Sequence, residues 1–366
     1  RSLSDLKGNR LPPRFDNLVA TARRAVVALM LLIPLSAQVT RADAPPHRLP
    51  ETPQFELFGP EDGLPSSTVY ALAQDAKGYL WIGTADGLAR YDGVGFKVFR
   101  HDPKDPHSLP SNVVQALHVD AQQRLWIACE GGGLSVLSDA LSSQFSHYNE
   151  TNLQNFSAPD VWAITSDVEG TLWFGGFGSG LHQWKPDSPT LHRRVHDETD
   201  ENSLPDDNIL SLSWDQKGAL VVGTSSGMAT LTNQTLSRLR QSESPAANFV
   251  IQLSTSPSLE GIHVGTRAGL RLLRSDGEIA DVATSAGVQA ITALMEVGDG
   301  TLWLGTRNGL FHRDLSNTWH HYRGSANRRR ALSGNAINAV LEDHEGGIWI
   351  ATLERGLSRL SPTWRN

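Results

Sequence analysis

The chain has 366 residues, of which 39% are hydrophobic, so it is long and apolar enough to bury a sizeable core. Its 32 basic and 39 acidic residues give a formal net charge of −7, which excludes the basic surface that nucleic-acid binding requires. The single cysteine, Cys129, excludes an internal disulfide.

The N-terminal stretch 1–44 is typical of a targeting segment. Arg24 ends a basic flank, and Ala25–Leu35 is an apolar run that is too short to span a bilayer, which needs ~20 residues. Small residues before Ala44 form a cleavage signature, and Ala37 is a second candidate site. We therefore predict a secretory signal peptide, with an uncleaved membrane anchor as the alternative.

After a proline-rich linker at 45–54, one phrase recurs about every 45 residues, which is the signature of a repeat architecture. It reads LWIGTADGL at Leu80–Leu88. Six further copies begin at Leu125, Leu172, Leu220, Ile262, Leu302 and Ile348. The second residue of the phrase is Trp in five copies, and Val221 and His263 replace it in the other two.

The first copy predicts four short strands. Val69–Asp75, Leu80–Thr84, Leu88–Tyr91 and Phe96–Arg100 are rich in β-branched and aromatic residues, and the tight turn Asp75–Gly78 separates the first two. Four strands in about 45 residues is the size of a propeller blade. The copies predict blades at 66–100, 111–149, 159–196, 206–241, 247–284, 288–324 and 335–360.

The last copy lacks an outer strand, because the chain ends soon after Leu357–Leu360. Phe55–Phe58 precedes the first copy and matches the missing strand in pattern. We therefore predict an all-β fold over 55–366, a seven-bladed β-propeller whose last blade is closed by an N-terminal outer strand. Such pairing would protect an open sheet edge from aggregation.

Two segments make a resemblance specific. SLPSNVVQAL, from Ser108, and DAKGYLWIGTADGLARYDG, from Asp75, resemble the two-component regulator propeller repeat, and the resemblance covers Phe55–Leu360. It implies a periplasmic sensor region like that of bacterial hybrid histidine kinases and related diguanylate cyclases. It also implies that a kinase or cyclase output domain lies outside this chain. Membrane attachment would then come from a missing C-terminal region or an uncleaved leader.

In a propeller, the loops between the second and third strands share one face with the loops that enter the next blade. These variable loops are where a scaffold carries function. Arginines there could hold an anionic small molecule or oligosaccharide by paired hydrogen bonds, and the alternative is that the loop charges are only solvated. The candidate rim residues are Asp86, Glu130, Phe177, Arg267, Arg307 and Arg355.

Polar residues that enter the inner strands are expected to edge the central channel on the same face. They could contact a ligand or, alternatively, cap and order the loops. Trp162 and Phe177 could stack on a sugar. The candidate channel-mouth residues are Ser67, Asn112, Asp160, Trp162, Asn208 and Asn335.

Other chemistry is weakly indicated. Gly176–Gly180 resembles part of a phosphate loop but no helix follows it, and His192 and His196 are too far apart along a strand to share a metal ion. Cys129 fills a slot that Thr occupies in other repeats, which favours a packed side chain over a nucleophile. We predict no cofactor and no metal.

The favoured function is a non-enzymatic periplasmic sensor that binds a small-molecule or oligosaccharide ligand, with a homodimer as the assembly for transmission. The alternatives are a periplasmic propeller enzyme, such as a lyase or glycoside hydrolase, and a protein-interaction scaffold, because fold does not decide function. An enzyme would gather acidic or histidine residues at the channel mouth.

Overall fold

The structure, a computed structural model, describes residues 53–186, 188–285, 287–325 and 330–365. These residues form seven antiparallel sheets of four strands each, arranged around a channel as the blades of a β-propeller. The predicted all-β, seven-bladed fold is confirmed. The leader predicted at 1–44 and most of the linker at 45–54 lie outside the described residues, so both stay predictions.

The strands follow the order of the chain around the ring. Their bounds are β1 (Phe55–Phe58), β2 (Val69–Gln74), β3 (Leu80–Thr84), β4 (Gly87–Tyr91), β5 (Phe96–Phe99), β6 (Val114–Val119), β7 (Leu125–Cys129), β8 (Gly133–Leu137), β9 (Ser146–Tyr148), β10 (Val161–Ser166), β11 (Leu172–Gly176), β12 (Leu181–Trp184), β13 (Leu191–Arg194), β14 (Ile209–Trp214), β15 (Leu220–Thr224), β16 (Gly227–Thr232), β17 (Thr235–Arg238), β18 (Val250–Ser256), β19 (Gly261–Thr266), β20 (Leu270–Arg274), β21 (Ile279–Asp281), β22 (Ala293–Glu296), β23 (Leu302–Thr306), β24 (Gly309–Arg313), β25 (Trp319–Tyr322), β26 (Ile337–Glu342), β27 (Ile348–Thr352) and β28 (Leu357–Leu360). Outside the sheets lie a short helix α1 (Pro245–Asn248) and 3-10 turns at Pro60–Asp62 and Pro362–Arg365. In the described part of the chain, helices are too short or too polar to cross a membrane.

The aspartate of the repeated turn ties the first two strands of a blade together. In the first blade, Oδ1 of Asp75 accepts hydrogen bonds from the backbone of Lys77 and Tyr79, at 3.0 and 3.1 Å. Its Oδ2 accepts a third bond, of 2.9 Å, from Nε1 of Trp81. The same indole-to-carboxylate bond joins Trp126 to Asp120 in the second blade and Trp349 to Asp343 in the last.

We expect Trp126→Phe to lower the free energy of unfolding by about 1–2 kcal/mol more than Trp173→Phe does. Both indoles are buried in the same slot of neighbouring blades. Nε1 of Trp126 donates to Asp120 at 2.8 Å, whereas Nε1 of Trp173 has no hydrogen-bond partner among the described residues. Urea unfolding of the two variants measures the difference, and equal losses would show that the bond adds no stability.

The glycine of the repeated phrase is a contact between blades. A methyl group on Gly83 would lie 2.8 Å from the side chain of Val114, at the start of the next inner strand. A methyl group on Gly305 would lie 2.5 Å from the side chain of Ile337 in the same way. Five of the seven copies have glycine in this slot and the other two have the small residues Ala128 and Ala351, so the slot stays small where the following blade packs closely.

The ring closes through its first and last strands. The inner strands β2, β6, β10, β14, β18, β22 and β26 contact one another in sequence, and β26 returns to β2. Strand β1 pairs antiparallel with β28, with Phe55 opposite Leu360 and Phe58 opposite Leu357. The predicted donation of an N-terminal outer strand to the last blade is confirmed.

Candidate functional site

An irregularity in six of the seven inner strands places one side chain at the mouth of the channel. In β2 the register with β3 shifts between Val69 and Ala71, so Tyr70 is an extra residue in the ladder. The shift recurs in β6, β10, β14, β18 and β26. Such bulges re-aim a side chain. The residues in this slot, with Thr292 in the sixth blade, are Tyr70, Gln115, Trp162, Leu210, Ile251, Thr292 and Asn338.

All seven of these residues line one cavity of about 870 Å³, which we call the mouth cavity. Its wall is completed by Val113, Glu130, Phe249, Gln252, Arg267, Gln289, Ala290 and Arg307. The volume lies in the range of small-molecule sites. A second cavity of about 240 Å³ continues along the channel, and its lining includes the small residues Ala71, Ala116, Ala163, Ser211, Ala293 and Ala339.

Four of the predicted site residues, Glu130, Trp162, Arg267 and Arg307, line the mouth cavity together. Within the described residues, its three charged side chains form no ion pair and no side-chain hydrogen bond. The guanidinium of Arg267 lies 3.5 Å from the centroid of the Phe249 ring, which supports its flat face and leaves its edge free for an anion.

The charges of the mouth cavity lie on opposite sides of it. Glu130 follows β7 in the second blade, Arg267 follows β19 in the fifth, and Arg307 follows β23 in the sixth. In a ring of seven blades, the second blade faces the gap between the fifth and the sixth. One wall is therefore negative and the opposite wall positive.

The other rim residues lie outside this lining. The carboxylate of Asp86 pairs with Arg100 at 3.0 Å, so its charge is already compensated. Phe177 is 69% exposed, and its ring centroid lies 6.0 Å from that of Trp162, which makes an aromatic edge beside the cavity. Arg355 is exposed in the loop of the last blade and does not line the cavity.

The polar residues at the strand entries order the loops. This is the second of the two roles predicted for them, the first being contact with a ligand. Four of their side chains each accept a hydrogen bond from a loop backbone N–H. The pairs are Asn112 with His101 (2.8 Å), Asp160 with Gly131 (2.7 Å), Asn208 with Gly178 (2.8 Å) and Asn335 with Gly324 (2.9 Å). Ser67 contributes its carbonyl oxygen, which accepts from the N–H of Gly356 at 2.7 Å. Their contact with a ligand stays a prediction.

Sequence reasoning missed most of the bulge residues. Tyr70, Gln115 and Asn338 each follow a buried Val or Ile that opens an inner strand. Alignment of the copies would have found this slot, because its residue type changes in every blade while its neighbours, apart from Gln252, stay small or aliphatic. Gln115 is informative, since its Oε1 atom is buried and accepts no hydrogen bond from a described residue.

The buried acid–base pair of the molecule lies away from the mouth cavity. Oε2 of Glu296, in the sixth blade, lies 2.8 Å from Nε2 of His263 and 2.5 Å from Oγ of Ser256, both in the fifth. Burial opposes ionisation of Glu296, but hydrogen bonds from His263 and Ser256 prevail and lower its pKa to about 2. This cross-blade contact occupies the place of the Trp–Asp bond, because His263 replaces the tryptophan.

The remaining candidate chemistry is structural. Cys129 is fully buried, and burial raises the pKa of its thiol to about 12, so it is a packed thiol. Among the described residues, histidine, cysteine and carboxylate side chains do not gather in groups of three that could hold a metal ion. In the lining of the mouth cavity, Glu130 is the one carboxylate, and histidine is absent from that lining.

Three segments of the chain, residues 63–86, 108–131 and 331–354, match the family described as two component regulator propeller. These three segments are similar to two component regulator propeller repeats. Each matched segment runs from the loop that enters a blade, through the inner strand, to the end of the second strand or just beyond. The match therefore covers the entry and the first two strands of the first, second and seventh blades.

Relatives of this propeller include signalling proteins. A stretch of 55 residues, 15% of this chain, is 47% identical to histidine kinase P4 of Formosa agariphila and covers 4% of that protein. The fold is similar to the extracellular domain assigned to a hybrid two component system from B. thetaiotaomicron, with a TM-score of 0.73 and 22% identity. That match covers 85% of this chain and 42% of the other, so the propeller spans less than half of that domain.

Propeller enzymes share the fold as well. Virginiamycin B lyase from Staphylococcus aureus matches with a TM-score of 0.61 and 14% identity, over 84% of this chain and 97% of the lyase. At such identities the similarity concerns the fold alone. The chemistry of the mouth cavity must therefore decide between sensor and enzyme.

Proposed function

We propose that this two component regulator propeller is the exported sensor domain of a signalling system and binds a small ligand in the mouth cavity. One observation carries the proposal: a cavity of about 870 Å³ collects one side chain from every blade, together with charged groups that have no partner among the described residues. Unpaired charges in a concave site favour a ligand that compensates them. The similarity to extracellular domains of two component systems supports the same assignment.

Binding without catalysis fits the lining of the cavity. General acid–base catalysis needs titratable groups within reach of each other, usually with perturbed pKa values. The strongly perturbed groups of the described chain include Glu296 and His182, which are buried between or within blades rather than at the mouth. Glu130 has no acidic or histidine neighbour in the lining.

The test is equilibrium binding to the full chain, measured by isothermal titration. The probes are trigalacturonic acid, maltotriose and tetraalanine, which stand for an anionic saccharide, a neutral saccharide and a peptide. We expect at least one probe to bind, and the double variant Arg267→Gln with Arg307→Gln to weaken it about tenfold or more, because charged hydrogen bonds are lost. The variant Arg274→Gln, in an exposed turn of the opposite face, is the control and should bind as the wild type does.

Two results would overturn the proposal. One is that none of the three probes binds to the wild-type chain. The other is that every probe which binds does so equally well with the double arginine variant, since the mouth cavity would then not be the site.

A further inference from the structure

The opposed charges of the mouth cavity restrict the ligand. Glu130 lies on one wall, and Arg267 and Arg307 lie on the other. An anionic saccharide would satisfy the arginines and leave Glu130 facing a like charge. Glu130, Arg267 and Arg307 are exposed to solvent, so a neutral saccharide would displace water from these charges without supplying an opposite charge, which costs free energy. A ligand with a cationic group at one end and an anionic group at the other satisfies both walls.

The size of the cavity sets the length of such a ligand. A volume of 870 Å³ corresponds to a sphere roughly 12 Å across. An extended polypeptide advances about 3.3–3.6 Å per residue, so three to four residues cross the cavity from wall to wall. A single amino acid would be too short to reach both walls.

The uncharged lining matches the middle of a peptide. Gln115 brings a carboxamide to the lining, a group that has both a hydrogen-bond donor and an acceptor. Gln289 and Asn338 add further carboxamides to the lining, while Leu210 and Ile251 present apolar surface to side chains. Carboxamides can hydrogen-bond to peptide groups, and the apolar residues can contact the side chains of a peptide.

We propose that the ligand of the mouth cavity is a short peptide with free ends, its ammonium group facing Glu130 and its carboxylate held by Arg267 and Arg307. This inference rests on the proposed function, because it assigns a chemical class to the same site. The carboxylate would be bound through guanidinium forks, of which the one on Arg267 is supported by Phe249.

The experiment compares tetraalanine with N-acetyl-tetraalanine and tetraalanine amide on the full chain, by isothermal titration at pH 6.5. At this pH the terminal amine carries its charge. For the wild type, we expect either blocked peptide to bind about tenfold or more weakly than the free peptide. In Glu130→Gln the free and acetylated peptides should bind alike, and in the double arginine variant the free peptide and its amide should bind alike.

Arg274→Gln and Glu278→Gln, two exposed positions flanking one turn on the opposite face, are the matched controls and should preserve both ratios. The peptide assignment is overturned if the blocked and free peptides bind alike, or if no peptide binds. The ligand-binding function then still stands, provided that trigalacturonic acid or maltotriose binds in a way that depends on the two arginines. If none of these probes shows binding that depends on Glu130 or on the two arginines, both proposals are overturned.

Discussion

Replacement of Phe55 by alanine is expected to lower the free energy of unfolding by about 3–5 kcal/mol, the cost of removing a buried aromatic ring from a close-packed core. Phe55 is 2% exposed and belongs to the cluster that includes Trp303 and Ile337, between the sixth and seventh blades. At the other end of β1, the ring of Phe58 lies 5.2 Å from that of Trp349, between the seventh blade and the first. Strand β1 thus contributes packing contacts on both faces of the seventh blade.

Leu57→Ala is the matched control for Phe55→Ala, since it lies in the same strand but is 44% exposed. We expect it to change the free energy of unfolding by about 0.5 kcal/mol, as surface substitutions do. Urea unfolding followed by tryptophan fluorescence measures both variants. Equal losses in the two would contradict the role assigned to β1.

Acidification from pH 6.5 to 4 is expected to destabilise the propeller through its buried histidines. Burial is the main cause that lowers the pKa of His118, His182 and His312, in each case to about 4. The unfolded chain, with histidine pKa values near 6.5, then binds more protons than the folded chain throughout this window. The contribution of these neutral histidines to the free energy of unfolding is fully present above pH ~6.5. It is lost as the pH falls, by about 1.4 kcal/mol per histidine and pH unit.

His182→Gln isolates one of these groups. The imidazole is fully buried, stacks on Phe174 with ring centroids 5.1 Å apart, and shares a hydrogen bond of 3.1 Å with Ser157. Between pH 6 and 4.5 we expect the variant to lose stability about 1.4 kcal/mol per pH unit less steeply than the wild type. The exposed His344, replaced by Gln, is the control. Parallel curves for His182→Gln and the wild type, from urea unfolding at each pH, would contradict the assignment.

Further acid sensitivity at lower pH has a separate origin. Hydrogen bonds from His263 and Ser256 outweigh the burial of Glu296 and hold its pKa at about 2. A carboxyl group whose pKa is lowered in the folded chain stabilises the fold at pH values above its pKa in the unfolded chain, near 4.3. This stabilisation is lost as the pH falls towards 2. The histidine window and the carboxylate window therefore follow one another.

The fold could be predicted because its signals are local and repeated. The turn at Asp75, the glycine at Gly83 and the indole of Trp81 make packing contacts that most of the blades share, so residues of these types recur at a fixed spacing. The pairing of β1 with β28 followed from counting strands, since the last blade has three strands of its own and the other six blades have four each. This contact between strands that are distant in sequence was predictable because the repeats fix the number of strand positions in the ring.

The site was only partly predictable. The spacing of the phrase placed Glu130, Arg267 and Arg307 on one face, and the structure brings them into one lining. It did not show that Asp86 is compensated by Arg100, because ion pairs depend on side-chain reach. Tyr70 was missed because a bulge adds one residue to the strand, which breaks the simple alternation of inward and outward side chains.

The pairing of β1 with β28 has a consequence for how the molecule is made. A ribosome releases β1 before any blade and β28 after all other strands, while domains begin to fold from the N-terminus during translation. Strand β1 therefore stays unpaired, with the aromatic side chains of Phe55 and Phe58 unburied, until the strands of all seven blades have emerged. Nascent chains that stall before β28 is synthesised would expose β1 as an unpaired strand with apolar side chains. We expect chaperones to bind these chains.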